Sequence, residues 1–193
     1  QGLIQLNKTS ERVELLSALN VLDPNDVQQQ RTATQLASML LQLPDKQLAA
    51  GKAAFVSATE SEIKILRAVG HAALIVSGNQ QESWNRATGG PGSTLDWLSA
   101  VHLIPQPTLR SALRDSIVSL LDSNYPVAVR RRAISTLARV PSDQQLTFRQ
   151  LAPFVASAEF RIAAIRTLLK VPDKHRDRTT STTLVDVLVK YAE

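Results

Sequence analysis

The sequence contains no cysteine among its 193 residues. Within this segment the absence excludes disulfide bonds, thiolate metal sites, a cysteine nucleophile and covalently attached haem, and it fits a cytosolic and a periplasmic protein alike. Aromatic residues are also scarce, at 4% of the chain. The core must therefore be filled by the abundant Leu, Ala, Val and Ile, which suits closely stacked helices better than a sandwich of β-sheets.

Long hydrophobic runs are missing as well. The most apolar segment, 68–76, is short and contains His71, whereas a membrane-spanning helix needs about 20 apolar residues. We therefore expect no membrane insertion. The chain begins at Gln1 without an initiator methionine or a signal-like segment, and this pattern indicates a piece of a longer protein.

Charge is present in ordinary amounts but is unevenly placed. Hydrophobic residues make up 44% and charged residues 20% of the chain, which is typical of a protein with a packed core. Residues 126–193 hold 12 basic and 6 acidic side chains, against 10 and 11 in residues 1–125. This asymmetry permits an anionic partner, although it is more typical of the solvated outer face of a helical repeat.

Apolar residues recur at helical spacing along most of the chain, and the breaks between them predict about ten helices. Asp23 is predicted to be the N-cap of the second helix. Residues 59–62 have the S/T-x-x-E pattern of a capping box and predict a helix over 63–76. The pair at 78–79 is expected to end that helix by C-capping.

The second half of the chain follows the same helical pattern. Ser93 is predicted to cap the helix that contains Trp97, and residues 108–121 are predicted to form one amphipathic helix. Ser142 is expected to cap a helix that runs to about residue 155. Residues 174–179 are interpreted as a solvated linker before a last helix that ends near Tyr191.

An internal repeat at an offset of 31 residues is the most informative feature of the sequence. Seven of thirteen positions are identical between two segments, VRRRAISTLARVP at 129–141 and FRIAAIRTLLKVP at 160–172. The shared residues are those that stacked helices need. The alanines Ala133 and Ala164 allow close approach of two helices, and a Val-Pro pair ends each segment.

A repeat of this length predicts the fold class. Each helical hairpin has an apolar face that it cannot cover alone, so stacking on its neighbours buries a continuous core. We expect an all-α fold, an α-solenoid of HEAT-like antiparallel helical hairpins that forms a single domain over 1–193. A compact, irregular helical bundle is the alternative.

Three stretches carry a resemblance to a known family: LRAVGHAA at 66–73, AVHLIPQPTLR at 100–110 and FRQLAPFV at 148–155. They resemble the helical-repeat region of large multidomain bacterial proteins that also carry a propeller-like dehydrogenase domain and a c-type cytochrome domain. The resemblance implies a periplasmic or extracellular location, without excluding the cytoplasm, and places any haem in a neighbouring domain. This sequence has no Cys-x-x-Cys-His motif, so no haem ligand or other functional residue is carried over.

The residue pattern predicts no catalytic, cofactor-binding or metal-binding site. His71, His102 and His175 lack the spacing of metal ligands, and His71 is interpreted as a partly covered surface residue. No nucleophile elbow and no phosphate-binding loop is present. The carboxylate pair Glu60 and Glu62 is explained more simply by helix capping than by acid–base catalysis.

Two groups of residues remain as candidate interaction surfaces. Trp84 and Trp97 flank the glycine-rich segment 89–92; they either anchor a hairpin in the core or form an exposed platform for a sugar or a peptide. The second group is basic and could bind phosphates, although not all six side chains can share one helix face. It consists of Arg130, Arg131, Arg132, Arg161, Arg166 and Lys170.

The sequence therefore favours one function and leaves two alternatives open. We expect a non-catalytic scaffold or protein-interaction segment that joins domains of a larger, redox-associated protein. Its partners would be other domains of the same polypeptide or a separate protein. Nucleic-acid binding through the basic C-terminal repeats, and carbohydrate or peptide binding near Trp84 and Trp97, are the alternatives.

Overall fold

The computed structural model describes residues 10–23 and 26–191, and every regular element in these ranges is helical. The all-α class is thereby confirmed. Short helices divide several predicted long ones, so these ranges hold thirteen α-helices rather than about ten. They are α1 (Glu11–Asn20), α2 (Val27–Leu41), α3 (Asp45–Ala49), α4 (Lys52–Thr59), α5 (Lys64–Val76), α6 (Gln80–Ala87), α7 (Pro91–Val101), α8 (Pro107–Ala112), α9 (Arg114–Ser119), α10 (Val127–Leu137), α11 (Gln144–Leu151), α12 (Arg161–Leu168) and α13 (Arg178–Val189).

Two 3₁₀ helices, Ala152–Val155 and Asp173–His175, follow α11 and α12 respectively. The chain divides into two compact units, with the boundary between Leu109 and Arg110. The single domain over 1–193 stays a prediction. Among the described helices, none combines the length and the apolar character that crossing a bilayer requires.

Helix α5 is the centre of the first unit. Nine of its residues are buried, from Leu66 to Ile75 with Arg67 as the exception in that run. The helix packs against α4, α7, α2 and α6, so its neighbours surround it on most sides. A helix that is apolar on most of its surface is stable only in such a position.

Gly70 sets the distance between α4 and α5. A Cβ atom at this position would lie 2.7 Å from the carbonyl oxygen of Phe55 and 2.7 Å from the amide nitrogen of Thr59. Both of these atoms belong to the backbone of α4, so neither can move aside as the end of a flexible side chain could. The missing side chain therefore permits the close approach of α4 and α5 at this position.

The predicted C-cap of α5 is confirmed, but the predicted capping box is wrong. Gly78 has a φ of +83°, and the N–H of Asn79 donates to the carbonyl of Leu74 at 2.7 Å, which is the pattern of a Schellman motif. Thr59 instead ends α4 and donates its hydroxyl to the Val56 carbonyl. Thr59 is the last residue of α4, and its hydroxyl is bonded within that helix. The Thr59 side chain therefore does not cap α5.

Three aspartates cap helices where the sequence predicted other residues. Asp26, not Asp23, accepts hydrogen bonds from the first turn of α2. Asp143, in the left-handed region with a φ of 45°, replaces Ser142 as the cap of α11. Asp177 caps α13, so the segment interpreted as a linker is largely structured. The sequence also predicts Pro24, after Asp23, at the first position of the second helix; this residue lies outside the described residues.

Two further boundaries differ from the sequence prediction. Ser93 does not cap α7, because the helix begins earlier at Pro91 with Gly90 before it. Proline fits this first position, where its missing N–H would have no partner in any case. The predicted helix over 108–121 is interrupted at Leu113, whose side chain is buried, and forms α8 and α9.

Matched residues of the 31-residue repeat have similar surroundings in the second unit. Helix α10 and helix α12 pack against each other. Five matched pairs are buried in both copies: Val129 with Phe160, Ala133 with Ala164, Thr136 with Thr167, Leu137 with Leu168, and Val140 with Val171. Four of these five pairs are identical residues, so these identities correspond to the same position in the packing.

We expect Gly70→Ala to lower the free energy of unfolding by about 1–3 kcal/mol, because the new methyl group would meet backbone atoms. Gly92, also helical, has open space where its Cβ would be. Gly92→Ala is therefore expected to be neutral or to stabilise by up to about 1 kcal/mol through helix propensity. Urea unfolding of both variants measures the difference; equal effects would contradict the close approach at Gly70.

Candidate interaction surface

The two tryptophans meet at the contact between α6 and α7. Their ring centroids are 4.9 Å apart in an edge-to-face arrangement. Trp97 is 0% exposed, while Trp84 is partly buried and packs against it. A stacking platform for a sugar needs accessible ring faces, which Trp97 does not have. The arrangement supports the interpretation that these rings anchor the hairpin.

Three of the six basic residues, Arg130, Arg131 and Arg161, donate to backbone carbonyls of neighbouring segments. The Nε of Arg130 donates to the Leu121 carbonyl at 3.0 Å, and its guanidinium lies 4.5 Å from the ring centroid of Phe160. The Nε of Arg131 donates to the Glu159 carbonyl at 3.1 Å. These two arginines connect elements of the second unit.

Arg161 occupies the position in α12 that Arg130 occupies in α10, and it makes the same kind of contact. Its Nε donates to the Val155 carbonyl at 3.0 Å, and its guanidinium lies 3.6 Å from the ring centroid of Tyr191. Arg132 is partly buried, whereas Arg166 and Lys170 are exposed. The repeat thus conserves an arginine that holds the backbone of the preceding segment, a role that the sequence analysis did not assign.

A polar cluster that the sequence analysis missed lies inside the first unit. The Nε of Arg67 is 2.5 Å from a carboxylate oxygen of Asp96, which is buried. Arg67 also donates to the carbonyls of Ser61 and Glu62 at 2.9 and 2.8 Å. The pair joins α5 to α7 and fixes the turn before α5. The sequence signal was present, since a charged residue in an otherwise apolar helix requires a partner when buried.

His71 belongs to the same region and is buried, so its interpretation as a surface residue is wrong. Its Nδ1 lies 3.1 Å from the hydroxyl of Ser83, which donates in turn to the backbone carbonyl of His71 at 3.3 Å. Which atom donates between Nδ1 and the hydroxyl depends on which ring nitrogen carries the proton. The two contacts join α5 to α6 inside the first unit.

Burial governs the protonation of His71. Removal of the imidazole from water lowers its pKa to about 4; the charge of Asp96 and the hydrogen bond with Ser83 oppose this shift, and Arg86 adds to it. His71 is therefore neutral at pH 7. Ser83 is 0% exposed, so a substrate cannot reach this serine–histidine pair.

A second buried cation, Arg114, lies in the second unit. Its Nη2 donates to the side-chain oxygen of Gln150 at 2.7 Å and is 3.4 Å from the Thr147 hydroxyl. The nearest carboxylate, that of the exposed Asp115, is 4.0 Å away. Neutral oxygens thus bind Nη2 and join α9 to α11, whereas the buried Nε has no hydrogen-bond partner.

The described parts of the chain contain cavities but no metal-binding cluster. They contain no group of three or more His, Asp or Glu side chains placed to hold a metal ion. A mostly apolar cavity of about 260 Å³ lies between α2, α5 and α7, with Ala33, Ile65 and Ala68 among its lining residues. Sequence analysis missed it because the three helices meet only in the folded chain.

Comparison with known proteins gives this chain no relative. No family model matches it, and neither a curated protein nor a solved structure does. The resemblance stated from the sequence therefore stays a prediction.

We expect Arg130→Ala to lower the free energy of unfolding by about 1–2 kcal/mol, since it removes a hydrogen bond and a cation–π contact. Arg166→Ala removes the same charge from an exposed position of the other repeat and should stay within about 0.5 kcal/mol of wild type. Thermal and urea unfolding measure both variants. Equal stability of the two would contradict the structural role of Arg130.

The protonation of His71 predicts a pH dependence of stability. Because its pKa is about 4 in the folded chain and about 6.5 in the unfolded chain, the unfolded chain binds more protons in between. The contribution is complete above pH 6.5 and decreases as the pH falls toward 4, by roughly 3 kcal/mol in total. His71→Asn, which cannot titrate, should lose correspondingly less stability over this range. Identical pH profiles in urea unfolding would contradict the assignment.

Proposed function

We propose that this chain is a non-catalytic helical-repeat segment that acts by holding other protein surfaces. The observation that carries the proposal is the repeat in the second unit, where the matched residues of α10 and α12 occupy equivalent buried positions. Proteins built this way bind through extended surfaces between and along their repeats. The same repetition supports a HEAT-like solenoid as the arrangement of the whole chain.

The chemistry of the buried polar groups supports the same proposal. The serine–histidine pair is buried, and the Ser83 hydroxyl is also within hydrogen-bond distance of the His71 backbone carbonyl. The ion pair between Arg67 and Asp96 links α5 to α7. Each of these groups has a structural partner that explains its presence, and catalysis is not needed to account for it.

The resemblance to the repeat region of multidomain bacterial redox proteins suggests which partners are involved. Under this proposal the chain joins other domains of the same polypeptide, outside the cytoplasm, and any haem belongs to a neighbouring domain. Nucleic-acid binding receives less support, because Arg130, Arg131 and Arg161 already donate to backbone carbonyls. A phosphate would have to compete with those hydrogen bonds.

Turnover measurements test the non-catalytic proposal. Purified chain is incubated with ester, peptide, phosphate monoester and glycoside substrates, alongside Ser83→Ala and a buffer blank. We expect wild type, variant and blank to give the same rates. Hydrolysis by wild type that Ser83→Ala abolishes, with unchanged circular dichroism, would reject the proposal and identify the buried pair as catalytic.

A further inference from the structure

The repeat in the second unit defines which side of a helix receives the next helix. Ile134 of α10 is fully buried, and its backbone carbonyl accepts a hydrogen bond of 3.2 Å from the hydroxyl of Thr167 in α12. Arg131, on the same side of α10, donates to the Glu159 carbonyl just before α12. Helix α12 and the residues before it therefore contact the side of α10 that holds positions 131 and 134, where Ile134 is buried and Arg131 stays exposed.

The equivalent side of α12 is uncovered and apolar. Positions 131, 134 and 138 of α10 correspond to Ile162, Ile165 and Leu169, which lie within one 60° sector at about 100° per residue. Ile162 is 64% and Leu169 68% exposed, and Ile165 is partly exposed, unlike Ile134. The five core pairs are buried in both copies, so the core side of the two helices does not account for the exposure of Ile165.

Helix α13 shows a second uncovered apolar stripe. It packs against the 3₁₀ helix Ala152–Val155, with Leu184 and Val187 lining a groove on that side. Val185, Leu188 and Val189 are exposed. These residues therefore lie outside the side of α13 that packs against the 3₁₀ helix.

We propose that these two stripes form a docking face for a helical hairpin of the same repeat type, a partner absent from the structure. The docking face consists of Ile162, Ile165, Leu169, Val185, Leu188 and Val189. The occupant follows from continuity with the α10–α12 interface: its contacting helix presents small residues and a threonine, as α12 does with Ala164 and Thr167, and the threonine hydroxyl donates to the Ile165 carbonyl. This proposal rests on the interaction function proposed above.

The charges around the docking face determine which charges the partner should carry beside its apolar contact. Arg166 and Lys170 follow the stripe of α12, and Lys190 follows that of α13, with Asp186 as the acidic neighbour. A groove of about 420 Å³ beside Ile162 is lined by two cations, Arg131 and Arg166, and one acidic residue, Glu159. Because cations predominate, a hairpin with acidic flanks is favoured, and two copies of this chain joined face to face would oppose like charges.

The test uses the full chain and a synthetic peptide of defined sequence. The peptide corresponds to residues 158–191 with R166E and K170E, so that it carries the small-residue stripe of α12 and acidic flanks. It is titrated into ¹⁵N-labelled chain, and amide shifts are followed by NMR. We expect shifts to concentrate at the six residues of the docking face, and the unmodified 158–191 peptide to bind more weakly.

A matched pair of substitutions separates the docking face from general hydrophobicity. Ile162 and Val27 are 64% and 65% exposed and lie in the first turns of α12 and α2, where an aspartate is compatible with the helix. Ile162→Asp is expected to weaken peptide binding at least tenfold, since it places a charge in the apolar contact. Val27→Asp is expected to leave the affinity unchanged, and circular dichroism checks that both variants remain folded.

Three results would overturn the proposal: no shifts up to millimolar peptide, shifts located elsewhere, or equal affinities of wild type and Ile162→Asp. Sedimentation of the chain alone measures whether it self-associates. Self-association that Ile162→Asp removes would identify a second copy as the occupant and reject the acidic hairpin. If docking fails, the non-catalytic proposal is still tested separately by the turnover measurements, because Ser83 is not part of the docking face.

Discussion

Main-chain carbonyl groups at the ends of short helices need hydrogen-bond partners, and much of this structure depends on how they obtain them. Every α-helix leaves its last four carbonyls without partners inside the helix, and thirteen helices in the described ranges create many such groups. Arginines bind carbonyls in both units, at helix ends and in the turns between helices. The recorded pairs are Arg12 with Gln47, Arg67 with Ser61 and Glu62, Arg110 with Arg139, Arg130 with Leu121, Arg131 with Glu159, Arg161 with Val155 and Ala156, and Arg176 with Val171 and Leu169.

The all-α class was predictable because the spacing of apolar residues and the repeat act over long stretches. The equivalence of Ala133 and Ala164 was also visible, since both are buried at matched positions. Helix ends were harder, because several polar residues compete as caps within a few positions. Asp26 and Asp143 accept the cap hydrogen bonds in place of Asp23 and Ser142, a choice that depends on local backbone conformation.

The candidate sites were less predictable, because they depend on which helices meet. The basic residues were recognisable, but the carbonyls and aromatic rings that engage Arg130 and Arg161 come from other segments. The burial of His71 beside Ser83 joins residues of α5 and α6. Its helix has apolar residues around most of its circumference, and that pattern was the available signal for a buried imidazole.

The contacts of the arginines also have an electrostatic consequence. A hydrogen bond to a carbonyl orients a guanidinium but does not neutralise it, so the chain retains its formal charge of +5. At low ionic strength, such a protein is retained by cation-exchange resins and by heparin through attraction over a Debye length of about 30 Å at 0.01 M salt. Retention of this kind reflects net charge alone, so it would be lost at moderate salt without any change in fold.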